Sequence, residues 1–326
     1  MKVAFFSTHT YDQQFFDLVN QDFGHELVYL SPALNAKTAV LAADCEAVCI
    51  FVNDVADEAT LKSLKQSGIG TLVLRCAGFN QVDLDAARQL SIKVLRVPSY
   101  SPEAVAEHAV AMIMTLNRKT HKAYNRVREG NFSLDRLIGF NLHEKKAGII
   151  GLGQIGLAFA KIMNGFGCKV IAFDPVVKDV PSYIELVNYD TLISSADLIS
   201  VHCPLNEHTH HLIDKESFEK MKTGVMLINT SRGGLLNTSD TIEALKQGKL
   251  GYLGIDVYEQ EDKLFFRDLS ESLIPDEQIL RLMSFPNVLI TSHQGFFTNE
   301  ALTEIAHITL QNLSDAEKGL DNSNAL

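Results

Sequence analysis

The sequence has few cysteines, no long apolar run and no excess of basic residues. Its five cysteines are scattered without a C-x-x-C pair, which indicates reduced thiols rather than a disulfide framework or a zinc site. The first residues are too soon interrupted to form a signal peptide, and no apolar run approaches the roughly 18 residues of a membrane helix. The 29 basic side chains are outnumbered by 40 acidic ones, which argues against a nucleic-acid partner. We expect a cytoplasmic protein with no membrane partner.

The first hundred residues alternate strand and helix patterns. The predicted strands are residues 2–7, 26–30, 47–51, 71–75 and 93–97. They are almost continuously apolar, as strands buried on both faces are. Segments such as 60–66 and 84–90 have helical patterns. This alternation predicts a parallel sheet covered by helices.

A second series follows a long predicted helix. Ser101 and Pro102 mark its start, and its apolar periodicity continues to about Gly130, which predicts a helix that either crosses between domains or packs in a core. The strands predicted after it are residues 147–150, 169–173, 198–201, 225–229, 253–257 and 288–291. Six strands in this order suggest a complete dinucleotide-binding sheet. A last helix is predicted at 300–313, before a polar tail. The length of 326 residues suits two such domains of about 150 residues.

A G-x-G-x-x-G string lies between a predicted strand and a predicted helix. Gly151 allows a tight turn, Gly153 lets the backbone approach a pyrophosphate, and Gly156 lets helix and strand pack closely. The next predicted strand ends at Asp174, whose carboxylate can accept both ribose hydroxyls of NAD and would repel the 2′-phosphate of NADP. The alternative is a plain glycine turn followed by an unrelated acidic residue. The order strand, loop, helix, strand and Asp favours NAD.

Three further strand ends carry Arg232, Glu261 and His293. Reduction of a 2-keto acid needs a planar cation for the carboxylate, and arginine suits this best. It also needs a proton donor, which histidine provides at neutral pH, and a carboxylate that orients the imidazole. Each residue has an ordinary alternative: a surface salt bridge, a solvated acidic loop or a structural histidine. Ligands bind at the carboxyl ends of the strands in open α/β sheets, so we expect all three in one site.

These motifs together resemble the D-2-hydroxyacid dehydrogenase family over nearly the whole chain. They are GLGQIG at 151–156 with Asp174, HCPL at 202–205, NTSRGG at 229–234, DVYEQE at 256–261 and SHQ at 292–294. The segments RCAGFN at 75–80, RVPSYSPE at 96–103 and DKLFF at 262–266 are similar to the fermentative D-lactate dehydrogenase branch.

The resemblance implies two Rossmann-like or flavodoxin-like parallel-sheet domains with a cleft between them. Residues 1–100 and 298–326 would form the substrate domain, and residues 101–297 the inserted NAD-binding domain. Arg232 would bind the substrate carboxylate near the nicotinamide, His293 would be the general acid and base, and Glu261 its partner. Further cofactor contacts would come from Gln154, Ile155, Cys203, Pro204, Thr230, Ser231 and Asp256. Further substrate contacts would come from the backbone of Ala77 and Gly78 and from the side chains of Tyr100 and Phe296.

The activity implied is that of an NAD-dependent D-lactate dehydrogenase that reduces pyruvate, in a homodimer or homotetramer built through the NAD domains. A larger 2-keto acid such as 2-ketoisocaproate, phenylpyruvate or hydroxypyruvate is the alternative substrate, and an NAD-sensing corepressor-like scaffold is the alternative class. The sequence departs from the family at Ser99 and Gly295, where alanine is common, and beyond Leu205, which puts a cofactor contact at Thr209 in doubt. We interpret His208, His210 and His211 as a surface loop rather than a metal site, because the sequence places no cysteine or carboxylate beside them to complete a tetrahedral set.

Overall fold

The structure is a computed structural model that describes residues 1–326, except for the side chain of Lys263 within the 262–266 segment. The strands are β1 (Lys2–Phe5), β2 (Glu26–Tyr29), β3 (Ala47–Ile50), β4 (Thr71–Leu74), β5 (Lys93–Leu95), β6 (Lys146–Ile150), β7 (Lys169–Phe173), β8 (Ile184–Leu186), β9 (Leu198–Val201), β10 (Val225–Asn229), β11 (Leu250–Ile255) and β12 (Val288–Ile290). The α-helices are α1 (Thr10–Asn20), α2 (Glu58–Gln66), α3 (Leu84–Gln89), α4 (Pro102–Arg118), α5 (Thr120–Arg128), α6 (Gln154–Gly165), α7 (Tyr189–Ser195), α8 (Lys215–Lys220), α9 (Thr238–Lys246), α10 (Glu277–Met283) and α11 (Asn299–Glu317). Short 3-10 helices lie at Ala39–Ala42, Gly233–Leu235 and Glu261–Lys263. Among the described residues, none of the helices combines the length and the apolar character that crossing a bilayer requires.

The chain divides into two compact units. One comprises Met1–Ser101 with Phe297–Leu326, and the other comprises Pro102–Phe296. The first unit holds a five-stranded parallel sheet in the order β2-β1-β3-β4-β5, the flavodoxin-like order. The sequence prediction of a parallel sheet here is confirmed. Strand β3 is fully buried along its length, as its apolar sequence predicts.

Arg75 follows β4 in the first unit and is 1% exposed. Its Nε donates to Asp12 Oδ1 at 3.2 Å, and its Nη2 donates to the carbonyl oxygen of Ser7 at 2.8 Å. A buried guanidinium is tolerated only where it is paired and hydrogen-bonded. Arg75 therefore joins the ends of β1 and β4 to helix α1, and it fixes the start of the loop that contains Ala77 and Gly78.

The polar tail after α11 is attached to the sheet of the first unit. The Leu326 N–H donates to the carbonyl oxygen of Val94 at 3.0 Å, and Ala325 forms an antiparallel bridge with Leu95. The amide of Asn324 donates to the buried Asn312 Oδ1 of α11 at 2.9 Å. These contacts add an edge partner to β5.

The second unit holds a seven-stranded parallel sheet in the order β12-β11-β10-β9-β6-β7-β8. Strands β6 to β11 reproduce the order 3-2-1-4-5-6 of dinucleotide-binding sheets, with the switch point between β6 and β9. Adjacent residues of one strand enter different apolar clusters, since Ile150 packs in one cluster and Ile149 in the other. Both faces of the sheet are therefore covered, as in the predicted fold class.

Two details of the second unit differ from the prediction. The long helix expected to continue to about Gly130 is two helices, because Lys119 adopts a left-handed φ of +53° between α4 and α5. Near the end of α4, the buried amide of Asn117 exchanges two hydrogen bonds with the backbone of Phe140. The sheet also has a strand that the sequence analysis missed, β8, whose three residues are too few to show a pattern.

Candidate active site

The predicted site residues of the second unit lie at one edge of its sheet. All neighbouring strands pair in parallel, so their carboxyl ends share that edge. The residues that follow these ends are Gly151 after β6, Asp174 after β7, His202 and Cys203 after β9, Thr230, Ser231 and Arg232 after β10, Asp256 after β11, and His293 after β12. Parallel pairing thus brings together side chains that are far apart in sequence.

The glycine loop makes close backbone contacts that a side chain would prevent. Gly151 has a φ of +95°, and a Cβ there would lie 2.7 Å from the backbone nitrogen of Cys203. A Cβ on Gly156 would lie 2.1 Å from the carbonyl oxygen of Gly151. Gly153 is the N-cap of α6, which begins with Gln154, and a Cβ on Gly153 would enter open space. This helix start has the form that binds a pyrophosphate, with N–H groups and a partial positive charge at its end.

Asp174 is fixed at the end of β7 by backbone hydrogen bonds. Its Oδ2 accepts from the Leu152 N–H of the glycine loop at 2.8 Å, and its Oδ1 accepts from the Val176 and Val177 N–H groups at 2.9 and 3.0 Å. Burial opposes its ionisation, but these N–H groups outweigh burial and lower the pKa of Asp174 below its usual value. A fixed negative charge therefore lies beside the glycine loop, where NAD ribose hydroxyls can be bound.

Thr230 and Ser231 begin the loop after β10. The Ser231 hydroxyl donates to the carbonyl oxygen of Val201 at 2.8 Å, which ties this loop to the end of β9. Among the described residues, Thr230 Oγ1 is buried and has no hydrogen-bond partner. Buried hydroxyls are normally satisfied, so an unsatisfied one at this edge fits a site that a cofactor completes.

Cys203 and Pro204 follow β9, across the switch point from the glycine loop that follows β6. Burial raises the pKa of the Cys203 thiol to about 11, so it remains a neutral packing group rather than a nucleophile. The carbonyl oxygen of Pro204 accepts a hydrogen bond from Thr209 Oγ1 at 2.7 Å. The Thr209 hydroxyl is thus engaged within its own loop.

Arg232 lies at the base of the loop after β10. Its Nη1 donates to the carbonyl oxygen of Ser231 at 2.6 Å, and its own carbonyl accepts from Asn229 Nδ2 at 2.8 Å. The next residue, Gly233, touches the loop after β11, because a Cβ there would lie 2.0 Å from the carbonyl carbon of Tyr258. The Arg232 loop is therefore packed directly on the loop that carries Glu261.

Glu261 and His293 form a hydrogen-bonded pair. His293 Nδ1 lies 2.8 Å from Glu261 Oε1, and Glu261 Oε2 accepts from the Tyr258 N–H at 2.8 Å. The carboxylate accepts the proton on Nδ1, which leaves Nε2 as the nitrogen that can exchange a proton with a ligand. The two side chains are 15% and 17% exposed, so the pair is shielded but can still be reached.

Asp256 is 1% exposed and organises the loop that presents His293. Its carboxylate accepts from Thr291 Oγ1 at 2.6 Å and from the Gln294 and Gly295 N–H groups at 2.9 and 2.8 Å. Burial opposes ionisation of Asp256, but hydrogen bonds led by that from His108 outweigh it and lower its pKa. The structure thus shows a positioning role for Asp256, and its predicted cofactor contact stays a prediction.

The sequence analysis did not identify His108 as part of this arrangement. His108 projects from α4 with its Nε2 3.3 Å from Asp256 Oδ1 and 3.1 Å from Thr291 Oγ1. A signal was present, because His108 interrupts a helix face that is apolar at Val105, Ala109 and Met112. A histidine within an apolar stripe needs a polar partner. The sequence does not show which residue the partner is, because that depends on the packing of α4.

The remaining predicted substrate residues belong to different units. Ala77, Gly78 and Tyr100 are in the first unit, and Phe296 is in the second, where it is 8% exposed. The carbonyl oxygen of Ala77 accepts from Arg96 Nη1 at 2.9 Å, which fixes this backbone. Their contribution to a substrate site stays a prediction.

The loop that contains His208, His210 and His211, called the histidine loop below, has a neighbour that the sequence interpretation did not include. A carboxylate does lie beside it, because Glu259 Oε1 is 2.7 Å from His211 Nε2. Forty-eight residues separate the two in sequence, so only the packing of the loops brings them together. His208 lies outside this contact and is 86% exposed.

Comparison with known proteins identifies the family. A family model described as D-isomer specific 2-hydroxyacid dehydrogenase, NAD binding domain, matches residues 110–295. The chain belongs to this family. The D-lactate dehydrogenase of Escherichia coli (strain K12) is 52% identical to this chain, over 98% of each chain.

Solved structures agree with this membership. The pyruvate reductase of Chlamydomonas reinhardtii matches with a TM-score of 0.92 at 42% identity, over 99% of this chain and 98% of that one. A D-lactate dehydrogenase with NAD⁺ from Lactobacillus jensenii matches with a TM-score of 0.83 at 33% identity, over 100% and 99%. The resemblance, the fold class and the expectation of an NAD-dependent oxidoreductase are confirmed, and the cofactor is NAD.

The buried carboxylate of Asp256 leads to a stability prediction. In the Asp256→Asn variant, an amide replaces an acceptor that N–H and O–H donors surround, so we expect a loss of about 3 kcal/mol in the free energy of unfolding at pH 7. Urea unfolding measures it, with the exposed Asp179→Asn as the matched control. The folded pKa of Asp256 is lowered, so its contribution is present above the ordinary value of 3.8 and is lost as the pH falls through the lower folded value. The difference between wild type and variant should shrink in that range; a difference below 0.5 kcal/mol at pH 7, about the size of a surface substitution, would contradict the role.

Proposed function

We propose that this chain reduces pyruvate to D-lactate with NADH, and catalyses the reverse reaction. The observation that carries the proposal is the Glu261–His293 pair, with 2.8 Å between Oε1 and Nδ1, on the same sheet edge as Arg232 and the glycine loop. Two relatives support the substrate, since their names are D-lactate dehydrogenase and pyruvate reductase.

The cofactor is assigned to the loops on both sides of the switch point. Gly151, Gly153 and Gly156, with Gln154 and Ile155 at the start of α6, would surround the pyrophosphate. Asp174 would accept the ribose hydroxyls. Further contacts are assigned to Cys203, Pro204, Thr230, Ser231, Arg232 and Asp256. Bound NADH supplies the hydride that reduces the keto carbon.

Arg232 is assigned to the substrate carboxylate. A guanidinium can donate two parallel hydrogen bonds to a carboxylate, which fixes the orientation of a small substrate better than an ammonium can. Asn229 and Gly233 hold its backbone in place. Such fixation lowers the entropic barrier to reaction.

His293 is assigned to proton transfer. Its Nε2 proton would pass to the keto oxygen as negative charge develops there, and in the reverse reaction Nε2 would accept the hydroxyl proton. Glu261 accepts from Nδ1 and so fixes the orientation of the ring. Further substrate contacts are assigned to Ala77, Gly78, Tyr100 and Phe296.

We also assign the chain to the cytoplasm, because its five cysteines are all free thiols, as a reducing compartment maintains them.

The substrate assignment is tested by NADH oxidation with pyruvate, 2-ketoisocaproate, phenylpyruvate and hydroxypyruvate. We expect the highest kcat/KM with pyruvate and D-lactate as the product on chiral chromatography. His293→Asn should lower kcat by about 10²- to 10⁴-fold, because the general acid is lost, while the dissociation constant for NADH stays unchanged. A higher kcat/KM with a larger acid would move the assignment to that substrate. No turnover with any of the four would favour the scaffold alternative.

Asp174 should determine the preference for NADH over NADPH. In Asp174→Asn the carbonyl oxygen remains but the charge is lost, so hydrogen bonds to the ribose weaken and the repulsion of a 2′-phosphate disappears. We expect the ratio of kcat/KM for NADH to that for NADPH to fall about 10- to 100-fold, since a hydrogen bond to a charged group contributes about 1.5–3 kcal/mol. Asp179→Asn is the exposed control. A ratio within twofold of the wild-type ratio would contradict the role of Asp174 in cofactor preference.

The homo-oligomer is assigned to an apolar surface of the second unit. Phe132, Leu134 and Ile138 are 75%, 83% and 83% exposed, close in sequence to the exposed Tyr124 and Val127 of α5. Exposed apolar patches of this kind mark interaction sites. A second copy of the chain is the occupant, as the family resemblance implies.

Light scattering after size exclusion tests the oligomer. The wild-type mass should be two or four times the 36.1 kDa of one chain. The double variant Leu134→Asp, Ile138→Asp should shift it toward the monomer, because a charge cannot be buried in an apolar interface without a partner. Leu273→Asp is the control, since Leu273 is 95% exposed elsewhere in the same unit. A monomeric wild type, or an unchanged mass in the double variant, would contradict the assignment.

A further inference from the structure

Two adjacent histidines and a glutamate converge outside the proposed active site. The rings of His210 and His211 are stacked, with centroids 3.9 Å apart and an interplanar angle of 30°. His211 Nε2 is 2.7 Å from Glu259 Oε1. Together the three side chains offer two imidazole nitrogens and a carboxylate oxygen that all lie within 4.8 Å of one another.

Neighbouring polar groups hold two of these side chains from behind. The amide nitrogen of Asn237 lies 3.4 Å from His211 Nδ1. The other carboxylate oxygen of Glu259 accepts from Thr238 Oγ1 at 2.8 Å. Outer polar contacts orient the side chains that bind metal ions.

The backbone brings the two loops together before any ion is bound. The His211 N–H donates to the carbonyl oxygen of Gly234 at 2.8 Å. Gly233 packs on the other loop, since a Cβ there would lie 2.3 Å from the Glu259 nitrogen. His211 also adopts a left-handed φ of +53°, which is unfavourable for a residue with a side chain. The backbone contacts of His211 and Gly233 stabilise this conformation.

We propose that His210, His211 and Glu259 bind a divalent transition-metal ion of the Zn²⁺ class, with water at the remaining position. Imidazole suits zinc, copper and nickel, whereas magnesium and calcium prefer oxygen ligands. Two histidines and one glutamate are a ligand set that Zn²⁺ accepts, at bond lengths of about 2.0–2.2 Å. Donor atoms in a tetrahedral set then lie about 3.3 Å apart, within reach of side-chain rotation. Each imidazole binds through a nitrogen that carries no proton and keeps one proton on its other nitrogen, so only a doubly protonated ring releases a proton to solvent as the metal bond forms.

The ion would connect the histidine loop to the segment that also contains Glu261. Glu259 lies two residues before Glu261, and Gly233 follows Arg232. Binding would therefore stabilise the folded loops by mass action. Because the site is outside the Glu261–His293 pair, it can be tested by binding alone, whatever the proposed function proves to be.

The test is calorimetric titration of ZnCl₂ into the full chain, freed of any affinity tag and treated with EDTA. Wild type should bind one ion per chain and gain thermal stability. His210→Ala should weaken binding by more than the about 10- to 100-fold that loss of an outer hydrogen bond causes. His210 is exposed, so its removal should not change the melting temperature without metal. His208→Ala is the matched control, because His208 is in the same loop but outside the cluster, and it should bind like wild type.

Glu259→Gln provides a second variant, which keeps the side-chain shape but removes the charge that binds the ion, and it should also bind weakly. The proposal is overturned if wild type shows no binding, if His210→Ala binds as tightly as wild type, or if His208→Ala loses as much affinity as His210→Ala. Binding that survives in His210→Ala would place the ion elsewhere in the chain.

Discussion

Parallel strand pairing is the constraint on which the site of the second unit depends. Because every strand of its sheet runs in one direction, each carboxyl end delivers its loop to the same edge. Parallel sheets require cover on both faces, and the two apolar clusters provide it. The faces are therefore closed to ligands, and the polar groups of the site lie in the loops at that edge. The apolar strands form the core of the unit, so the loops at the edge can carry the polar side chains of the site.

Glycines determine how closely the loops at that edge approach one another. Gly151 lets the backbone of the pyrophosphate loop pass beside Cys203, and Gly233 lets the Arg232 loop rest on Tyr258 and Glu259. At each position a Cβ would come within 3 Å of backbone atoms, which cannot move as a flexible side chain can. The relative placement of Arg232 and Glu261 is therefore set by backbone contact rather than by long side chains. This suits a reaction in which the carboxylate-binding and proton-transfer groups act on one small molecule.

The sequence predicted most of the strands and the sheet class, because buried parallel strands are continuously apolar and are separated by clear turns. It failed where a signal is short or depends on contacts distant in sequence. Strand β8 has three residues, and no glycine or proline marks the break at Lys119. The candidate site shows the same division. Strand ends placed Arg232 and His293 at one edge, but no periodicity connects His108 with Asp256 or His211 with Glu259, since those pairs exist only once the loops and helices have packed.

The buried carboxylate of Asp256 explains how His293 can keep an unfavourable backbone conformation. His293 has a φ of +54°, which costs a residue with a side chain about 1–2 kcal/mol. Its N–H donates to the carbonyl oxygen of Asp256 at 2.7 Å, and the next two N–H groups donate to the Asp256 carboxylate. Several charge-assisted hydrogen bonds in a buried setting outweigh that cost. The turn they enforce directs the imidazole toward Glu261, so the geometry of the proton-transfer pair originates in a residue that need not touch the substrate.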